Sequence, residues 1–183
     1  MGKFSMMKRW LMKIRRHLTK SSYSAEELRA MGARIGDHFA NYGSIDATHP
    51  HLLTIGNEVT LSACRILTHD ASTKIPLGYA RIGRVEIGDH VFVGADALIL
   101  PNVKIGSNCI IGACAVVTYD IPDNSVAVGN PARVISTYDE FVRKNKELME
   151  NGKVYHTYWT QMTEEDRRVQ YEDLKDGGIG FTL

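Results

Sequence analysis

A six-residue repeat runs through the centre of this 183-residue chain and restricts the folds it can adopt. From Ile87 the sequence reads IGDHVF, VGADAL, ILPNVK, IGSNCI, IGACAV and VTYDIP, with Ile or Val first and Val, Ala, Cys or Ile fifth. The stretches at 35–40 and 55–66 carry the same pattern. This period matches neither the roughly 3.6-residue period of a helix nor the simple alternation of a strand. It is typical of short strands joined by turns in a parallel β-helix, whose coils bury their inner faces only by stacking.

The repeat stops for about one coil's length in the stretch ILTHDASTKIPLGYARIGR, residues 66–84. This interruption follows directly after an apolar segment and begins with the sequence Thr-His-Asp, which contains His69 and Asp70. Loops carry catalytic and binding residues more often than cores do. The break is therefore the first place to look for a functional site.

Composition excludes several classes of protein. With 44% hydrophobic and 23% charged residues, the chain is expected to pack as a globular protein, and its net charge of +1 gives no general attraction to nucleic acid. The odd number of cysteines (Cys64, Cys109 and Cys114) has no paired metal-binding spacing and suits a reducing compartment. No apolar run approaches the ~18 residues of a membrane span, so a cytoplasmic location is expected.

The flanks of the repeat predict helices. Residues 1–34 are predicted to form an N-terminal helical segment, 35–135 the β-helix and 136–183 a C-terminal helical extension. Ser24 and Glu27 form a capping box for a short helix, and helices are expected from Thr137 to about Gly152 and over roughly 164–175. Residues 3–20 read as a basic amphipathic helix, for which two interpretations stand: peripheral contact with an anionic membrane, or packing on protein, which we favour.

The sequence resembles the left-handed β-helix, hexapeptide-repeat acyltransferases, and within them the galactoside, maltose and capsular-polysaccharide O-acetyltransferase group. The resemblance rests on the hexads together with IDATHPHLLTIGNEVTL at 45–61, LTHDAS at 67–72 and VGNPARVI at 128–135. It implies an all-β, left-handed parallel β-helix with terminal helices, assembled as a homotrimer with active sites between subunits. It also implies that residues 71–84 form a loop that leaves one corner of the coil and lines a site beside His69.

The resemblance makes His69 the catalytic residue. A sugar hydroxyl ionises too weakly to attack a thioester unaided, and an imidazole with a pKa of about 6.5 suits the role of general base. Asp70 either orients that imidazole or caps the local turn, and the turn role is favoured because adjacent residues of a strand face opposite ways. Asp46 and His49 are either acceptor-binding residues or polar corner residues.

The acceptor site departs from the pattern of the galactoside acetyltransferases. A gapless comparison places Tyr42 and Pro50 where those enzymes use Asn and Asp for the sugar, and Asn41 lies one position away. For the donor, acetyl-CoA, the resemblance assigns Ala95, Ala113 and Thr118 to the pantetheine arm and Arg133 to the phosphates or adenine. Tyr119 replaces the basic residue that is common beside this threonine.

The predicted function is acetyl-CoA-dependent O-acetylation of a sugar hydroxyl in surface-polysaccharide biosynthesis. Alternatives are a xenobiotic acetyltransferase of the streptogramin type, a sugar N-acetyltransferase and a γ-type carbonic anhydrase. The last needs three histidines around zinc. His69 and His90 are the only histidines within the central coils, and no partner pair shows suitable spacing, so no metal is predicted. The intact THD and GNPAR motifs argue against a non-catalytic scaffold.

Overall fold

A computed structural model of the protein describes residues 22–183, which form two units that divide between Tyr138 and Asp139. The basic helix predicted for residues 3–20 lies outside the described residues. Short strands arranged mostly in parallel sheets make up the first unit, and helices are few. This confirms the predicted parallel architecture, while the left-handed sense of the coil stays a prediction.

Three parallel sheets form the sides of the coil, and the chain visits them in a fixed order. Sheet A contains β1 (Arg34–Ile35), β4 (Leu53–Ile55), β9 (Val85–Ile87) and β12 (Val103–Ile105). Sheet B contains β2 (Ala40–Asn41), β5 (Thr60–Leu61), β10 (Val91–Val93), β13 (Cys109–Ile111) and β15 (Ser125–Val128), and ends with the antiparallel β16 (Arg133–Thr137). Sheet C contains β3 (Ser44–Ile45), β6 (Arg65–Ile66), β11 (Leu98–Ile99) and β14 (Val116–Val117).

The hexads map directly onto this geometry. Their first residues fall in turn on sheets A, B and C and then on the same three sheets again: Ile87, Val93, Ile99, Ile105, Ile111 and Val117. Each of these side chains is at most 2% exposed. The fifth residues are buried beside them: Val91, Ala97, Val103, Cys109, Ala115 and Ile121. Each large aliphatic side chain buried in this way contributes about 1.5–3 kcal/mol, so the repeat itself is the core.

Polar side chains hold neighbouring coils in register at the corner between sheets A and B. A side-chain oxygen in each coil accepts a hydrogen bond from the backbone N–H of the preceding coil. The four bonds run from Asp37 N to Asn57 Oδ1 (2.9 Å), Asn57 N to Asp89 Oδ1 (2.6 Å), Asp89 N to Ser107 Oγ (3.1 Å) and Ser107 N to Asp123 Oδ1 (2.7 Å). These bonds satisfy backbone donors that no strand ladder reaches.

Backbone also approaches backbone closely at this corner. A Cβ atom on Gly88 would lie 2.7 Å from the backbone nitrogen of Ser107, which is closer than side-chain atoms pack. The residue two positions after Gly88, His90, adopts a left-handed conformation with φ of 55°. Glycine at this hexad position therefore lets neighbouring coils stack closely, because a side chain would contact the next coil.

The helices at the two ends agree with the sequence patterns. Helix α1 (Ala25–Ala30) begins at the predicted capping box of Ser24 and Glu27 and buries Leu28 completely. In the second unit, α3 (Tyr138–Asn151) and α4 (Glu164–Leu174) occupy the predicted helical stretches. The parallel pair β17 (Lys153–Tyr155) and β18 (Gly180–Thr182) was not predicted, because each strand is only three residues long. No helix within residues 22–183 is long and apolar enough to cross a bilayer.

Candidate active site

Two excursions leave the coil at the same corner, between sheets C and A. The first spans residues 46–52 between β3 and β4 and ends in a 3-10 turn, Pro50–Leu52. The second spans residues 67–84 between β6 and β9 and includes residues 71–84, the predicted loop. Because β3 and β6 are hydrogen-bonded neighbours, with Ile45 opposite Ile66, the two excursions start one above the other. Their first residues are therefore brought together.

The second excursion is closed by its own strand pair. Strand β7 (His69–Asp70) pairs antiparallel with β8 (Arg81–Ile82), and a 3-10 turn, Ala71–Thr73, and the short helix α2 (Lys74–Leu77) lie between them. This pairing fixes the backbone of His69 although the residue lies outside the three sheets of the coil.

A carboxylate from the first excursion contacts the histidine of the second. Nδ1 of His69 lies 2.5 Å from Oδ2 of Asp46, and the same oxygen accepts hydrogen bonds from the backbone N–H and hydroxyl of Thr68, at 3.2 and 2.9 Å. The other oxygen of Asp46 accepts from the backbone N–H of Thr48 at 2.9 Å and from its hydroxyl. The Asp46 side chain is 6% exposed and that of His69 is 31% exposed. The carboxylate is thus fixed inside the protein while the imidazole reaches solvent.

These hydrogen bonds determine the charge on Asp46 and the position of the His69 proton. Burial alone raises the pKa of the Asp46 carboxyl, but the bonds from Thr48, His69 and Thr68 outweigh burial and hold that pKa well below its usual value. An ionised carboxylate only accepts hydrogen bonds. Nδ1 of His69 must therefore donate, and Nε2 of the neutral ring keeps a free lone pair.

Asp70 has a different set of partners. Its Oδ1 accepts from the backbone N–H of Ser72 at 2.8 Å, and its Oδ2 pairs with the guanidinium of Arg81. The Arg81 bond is the main reason that the pKa of Asp70 is lowered. The structure thus places Asp70 in the turn, as the alternation of a strand predicts, and gives the orienting contact to Asp46.

His49 lies beside His69. The centroids of the two rings are 5.9 Å apart, and Asp46, His49 and His69 offer one ligand atom each within 4.8 Å of one another. Nδ1 of His49 is buried and has no hydrogen-bond partner in the part of the chain that the structure describes. The two histidines are separated along the chain and meet through coil stacking, so the sequence pattern does not reveal their proximity.

An open cleft of about 710 Å³ adjoins His69. Its walls include Asp70, Arg81, Leu100, Asn102 and Thr118. A second cleft of about 750 Å³ shares Asn102 and Thr118 with the first and continues to Tyr119 and Asp120. The two clefts adjoin at Asn102 and Thr118 and are together called the groove.

Two features of this groove fit a ligand with an anionic end. The hydroxyl oxygen of Thr118 is buried without a hydrogen-bond partner among residues 22–183, at the point where the two clefts join. Tyr119 lines the second cleft, and Cζ of Arg133, which lines neither cleft, lies 6.0 Å from the centroid of the Tyr119 ring. Arginine can hold a phosphate by paired hydrogen bonds, and an adenine can stack on a guanidinium or a tyrosine ring.

The remaining predicted site residues lie elsewhere in this chain. Ala95 and Ala113 stack on each other at the corner between sheets B and C, where Cys114 N donates to Ala95 O at 2.9 Å. They are therefore at the opposite ends of the sheet C strands from His69. Asn41 uses its side chain structurally: Nδ2 donates to Tyr23 O at 3.0 Å, and Oδ1 accepts from Gly43 N at 2.9 Å. Asn41 is thus not part of the groove beside His69.

Sequence reasoning placed Asp46 near the acceptor but missed its contact with His69. The signal was present in the strand register. Asp46 follows Ile45 of β3 directly, and Thr68 comes two residues after Ile66 of β6, the residue opposite Ile45. Residues that leave one corner in adjacent coils lie about 4.8 Å apart, so a side-chain contact between them is to be expected.

Comparisons with known proteins agree with this fold. Residues 84–119 match the family model for bacterial transferase hexapeptide (six repeats). Protein CapG from Staphylococcus aureus is 36% identical over 144 residues, covering 74% of this chain and 81% of CapG. The chain belongs to the hexapeptide-repeat acyltransferase family.

Solved structures of hexapeptide-repeat enzymes are also similar. A hexapeptide-repeat acetyltransferase from Vibrio cholerae O1 biovar eltor, complexed with acetyl-coenzyme A, has a TM-score of 0.51 and 25% identity, covering 58% of this chain and 61% of that one. The chain thus spans less than two thirds of that enzyme. A maltose O-acetyltransferase from Clostridium difficile 630 has a TM-score of 0.49 and 27% identity, covering 74% of this chain and 89% of that one. As a member of this family, the protein is an acyltransferase.

Proposed function

We propose that the protein transfers an acetyl group from acetyl-coenzyme A to a saccharide hydroxyl, with His69 as general base and Asp46 as its positioning residue. The observation that carries this proposal is the 2.5 Å contact between His69 Nδ1 and the buried Asp46 carboxylate, which leaves Nε2 available at the edge of an open cleft. This is the arrangement that general base catalysis requires: a base with a lone pair, held in one orientation by a third group.

The reaction follows from this geometry. Nε2 of His69 takes the proton of the acceptor hydroxyl as its oxygen attacks the thioester carbonyl. The carboxylate of Asp46 stabilises the imidazolium that forms. When the tetrahedral intermediate collapses, the carbon–sulfur bond breaks and the imidazolium returns the proton to the departing thiolate. Such a base contributes about 10²–10⁴-fold to the rate.

The groove past Thr118 supports the placement of the donor. Its first cleft lies at His69, where the thioester must react, and its second cleft is lined by Tyr119, which with the neighbouring Arg133 suits the phosphates or adenine. The Vibrio cholerae relative was solved with acetyl-coenzyme A, which supports this donor. Because Ala95 and Ala113 lie at another corner of the chain, they can share the ligand with His69 only if they come from a second copy. Their position supports a homotrimer with sites between subunits.

A saccharide acceptor is supported by the polar groups in the cleft beside His69. Among largely apolar walls, Asp70, Arg81 and Asn102 offer hydrogen-bond donors and acceptors for hydroxyl groups. The resemblance of the Thr-His-Asp segment to polysaccharide-modifying enzymes supports a role in surface-polysaccharide assembly. The three free thiols suit a reducing, cytoplasmic setting.

The test is His69→Ala, with His51→Ala as the matched control because His51 is exposed on the first excursion. We expect His69→Ala to lower kcat at least about 100-fold and to leave the Kd for acetyl-coenzyme A within about threefold. Consumption of acetyl-coenzyme A is followed by chromatography over a panel of saccharides, since the exposed thiol of Cys114 would react with a thiol-sensitive dye. Near wild-type turnover would show that His69 is not the base, and absence of donor binding to the wild type would overturn the choice of donor.

A further inference from the structure

We propose that Asp46, His49 and His69 form a binding site for a divalent transition-metal ion, with Zn²⁺ preferred, and that zinc inhibits the enzyme there. The binding stands apart from the proposed function, whereas the inhibition rests on it. Zinc is neither a substrate nor a helper of acetyl transfer in this proposal. Zinc and the proton compete for the ring nitrogen atoms of His69.

The geometry provides three ligand atoms within reach of one ion. One atom from each residue lies within 4.8 Å of the others. In a tetrahedral zinc site with bonds of about 2.0 Å, the ligand atoms lie about 3.3 Å apart. The carboxylate oxygen and imidazole nitrogen that are now 2.5 Å apart must therefore separate by less than about 1 Å.

The chemistry of the ligands selects the metal. Two imidazoles and one carboxylate make up a ligand set that suits zinc and other late first-row ions, whereas magnesium and calcium prefer oxygen alone. Hydrogen bonds from Thr48 and Thr68 hold the Asp46 carboxylate in place, which is how second-shell groups orient metal ligands.

An independent observation points to a ligand at His49. Its Nδ1 is buried and lacks a hydrogen-bond partner within residues 22–183. A buried polar atom without a partner has lost its water without compensation, at a cost of about 1–3 kcal/mol. A metal bond at His49 would remove this deficit, which nothing in the proposed acetyl transfer requires.

Inhibition follows from the tautomer of His69. In the metal-free site Nδ1 carries the proton and Nε2 carries the lone pair. A zinc ion on Nδ1 moves the proton to Nε2, and a zinc ion on Nε2 occupies the lone pair directly. In both cases the nitrogen that would accept the hydroxyl proton has lost that ability.

The first experiment titrates the full-length protein with ZnCl₂ alone in a calorimeter, after dialysis against EDTA and then metal-free buffer. The variants are His49→Phe and, as the matched control, His51→Phe on the same 3-10 turn segment. We expect the wild type and His51→Phe to bind one zinc per chain with similar affinity. His49→Phe is expected to bind at least about thirtyfold more weakly, since even groups that merely support a ligand contribute ~10–100-fold. No binding to the wild type, or equal binding to His49→Phe, would overturn the proposal.

A second measurement does not depend on the folding of a variant. X-ray absorption at the zinc edge of the wild-type complex is expected to show two imidazoles with oxygen ligands and no sulfur. Sulfur in the coordination sphere would place the metal on one of the free cysteines and contradict the assignment.

The inhibition is tested in the acetyl-transfer assay. Saturating zinc is expected to lower turnover at least about 100-fold, and EDTA is expected to restore it. A zinc-loaded enzyme that keeps more than half of its turnover would refute inhibition through His69. Because the calorimetric arm uses neither donor nor acceptor, a wrong assignment of the reaction leaves the test of metal binding intact.

Discussion

Replacement of Asp46 by asparagine tests the central contact of the site. Asp46→Asn keeps the shape of the side chain but removes its charge and exchanges one oxygen for an NH₂ group. In the wild type each carboxylate oxygen accepts a backbone N–H, one from Thr48 at 2.9 Å and one from Thr68 at 3.2 Å. Whichever way the amide turns, its NH₂ group therefore faces a backbone donor.

The size of the effect follows from these contacts. A buried donor that loses its acceptor costs about 1–3 kcal/mol, and hydrogen bonds to a charged group contribute about 1.5–3 kcal/mol each. We expect Asp46→Asn to lower the free energy of unfolding by about 2–4 kcal/mol, which corresponds to roughly 5–15 °C in Tm for a chain of this size. If the NH₂ group faces His69, Nδ1 becomes the acceptor and Nε2 carries the proton, so we expect kcat to fall at least about 100-fold.

The assay compares Asp46→Asn with Asp70→Asn, the neighbouring carboxylate that pairs with Arg81. Melting is followed by circular dichroism, and kcat and KM are measured with acetyl-coenzyme A and an active acceptor. Asp70 lines the acceptor cleft but bonds to Ser72 and Arg81 rather than to His69, so we expect Asp70→Asn to act on the KM of the acceptor and to change kcat less than about tenfold. The reasoning is refuted if Asp46→Asn has the same Tm as the wild type and a kcat within about fivefold of the wild-type value.

Three further predictions concern the coil, the thiols and the donor. Gly88→Ala is expected to lower the free energy of unfolding by more than about 2 kcal/mol, because the added Cβ would meet the backbone of the next coil. Gly78→Ala has open space around it but a φ of 77°, and is expected to cost only about 1–2 kcal/mol. Equal urea midpoints for the two variants would contradict this prediction. Burial raises the pKa of Cys64 to about 11. Iodoacetamide at about pH 8 is therefore expected to label the exposed Cys114 and to label Cys64 only after denaturant is added. Mass spectrometry of the peptides measures the labelling of each cysteine. Arg133→Ala is expected to raise the KM for acetyl-coenzyme A about 5–20-fold at constant kcat, and an unchanged KM would remove Arg133 from the donor site.

Much of the fold was predictable because a hexad repeat encodes burial directly. The first and fifth residues of each hexad are apolar since they point into the coil, and a pattern of this kind is independent of distant contacts. Capping boxes are equally local, which is why Ser24 and Glu27 marked the start of α1 correctly. The strands β17 and β18 were missed because they are too short to show a pattern and pair over a long separation in sequence.

The site was predictable only in part because it is assembled by stacking. His69 could be found from the break in the repeat. Its partner Asp46 is 23 residues earlier in the chain, and their contact depends on the register of β3 against β6. His49 joins them through the same register. No local pattern encodes a distance between residues of different coils.

The strand pair that closes the second excursion has a consequence for how such enzymes diversify. Because β7 and β8 lie side by side, residues 71–80 begin and end at neighbouring points, and their length can change without moving the coils above and below. The contact between His69 and Asp46 lies outside residues 71–80, at the base of the excursion. A change in the length or sequence of residues 71–80 can therefore alter the surface beside His69 while this contact is kept.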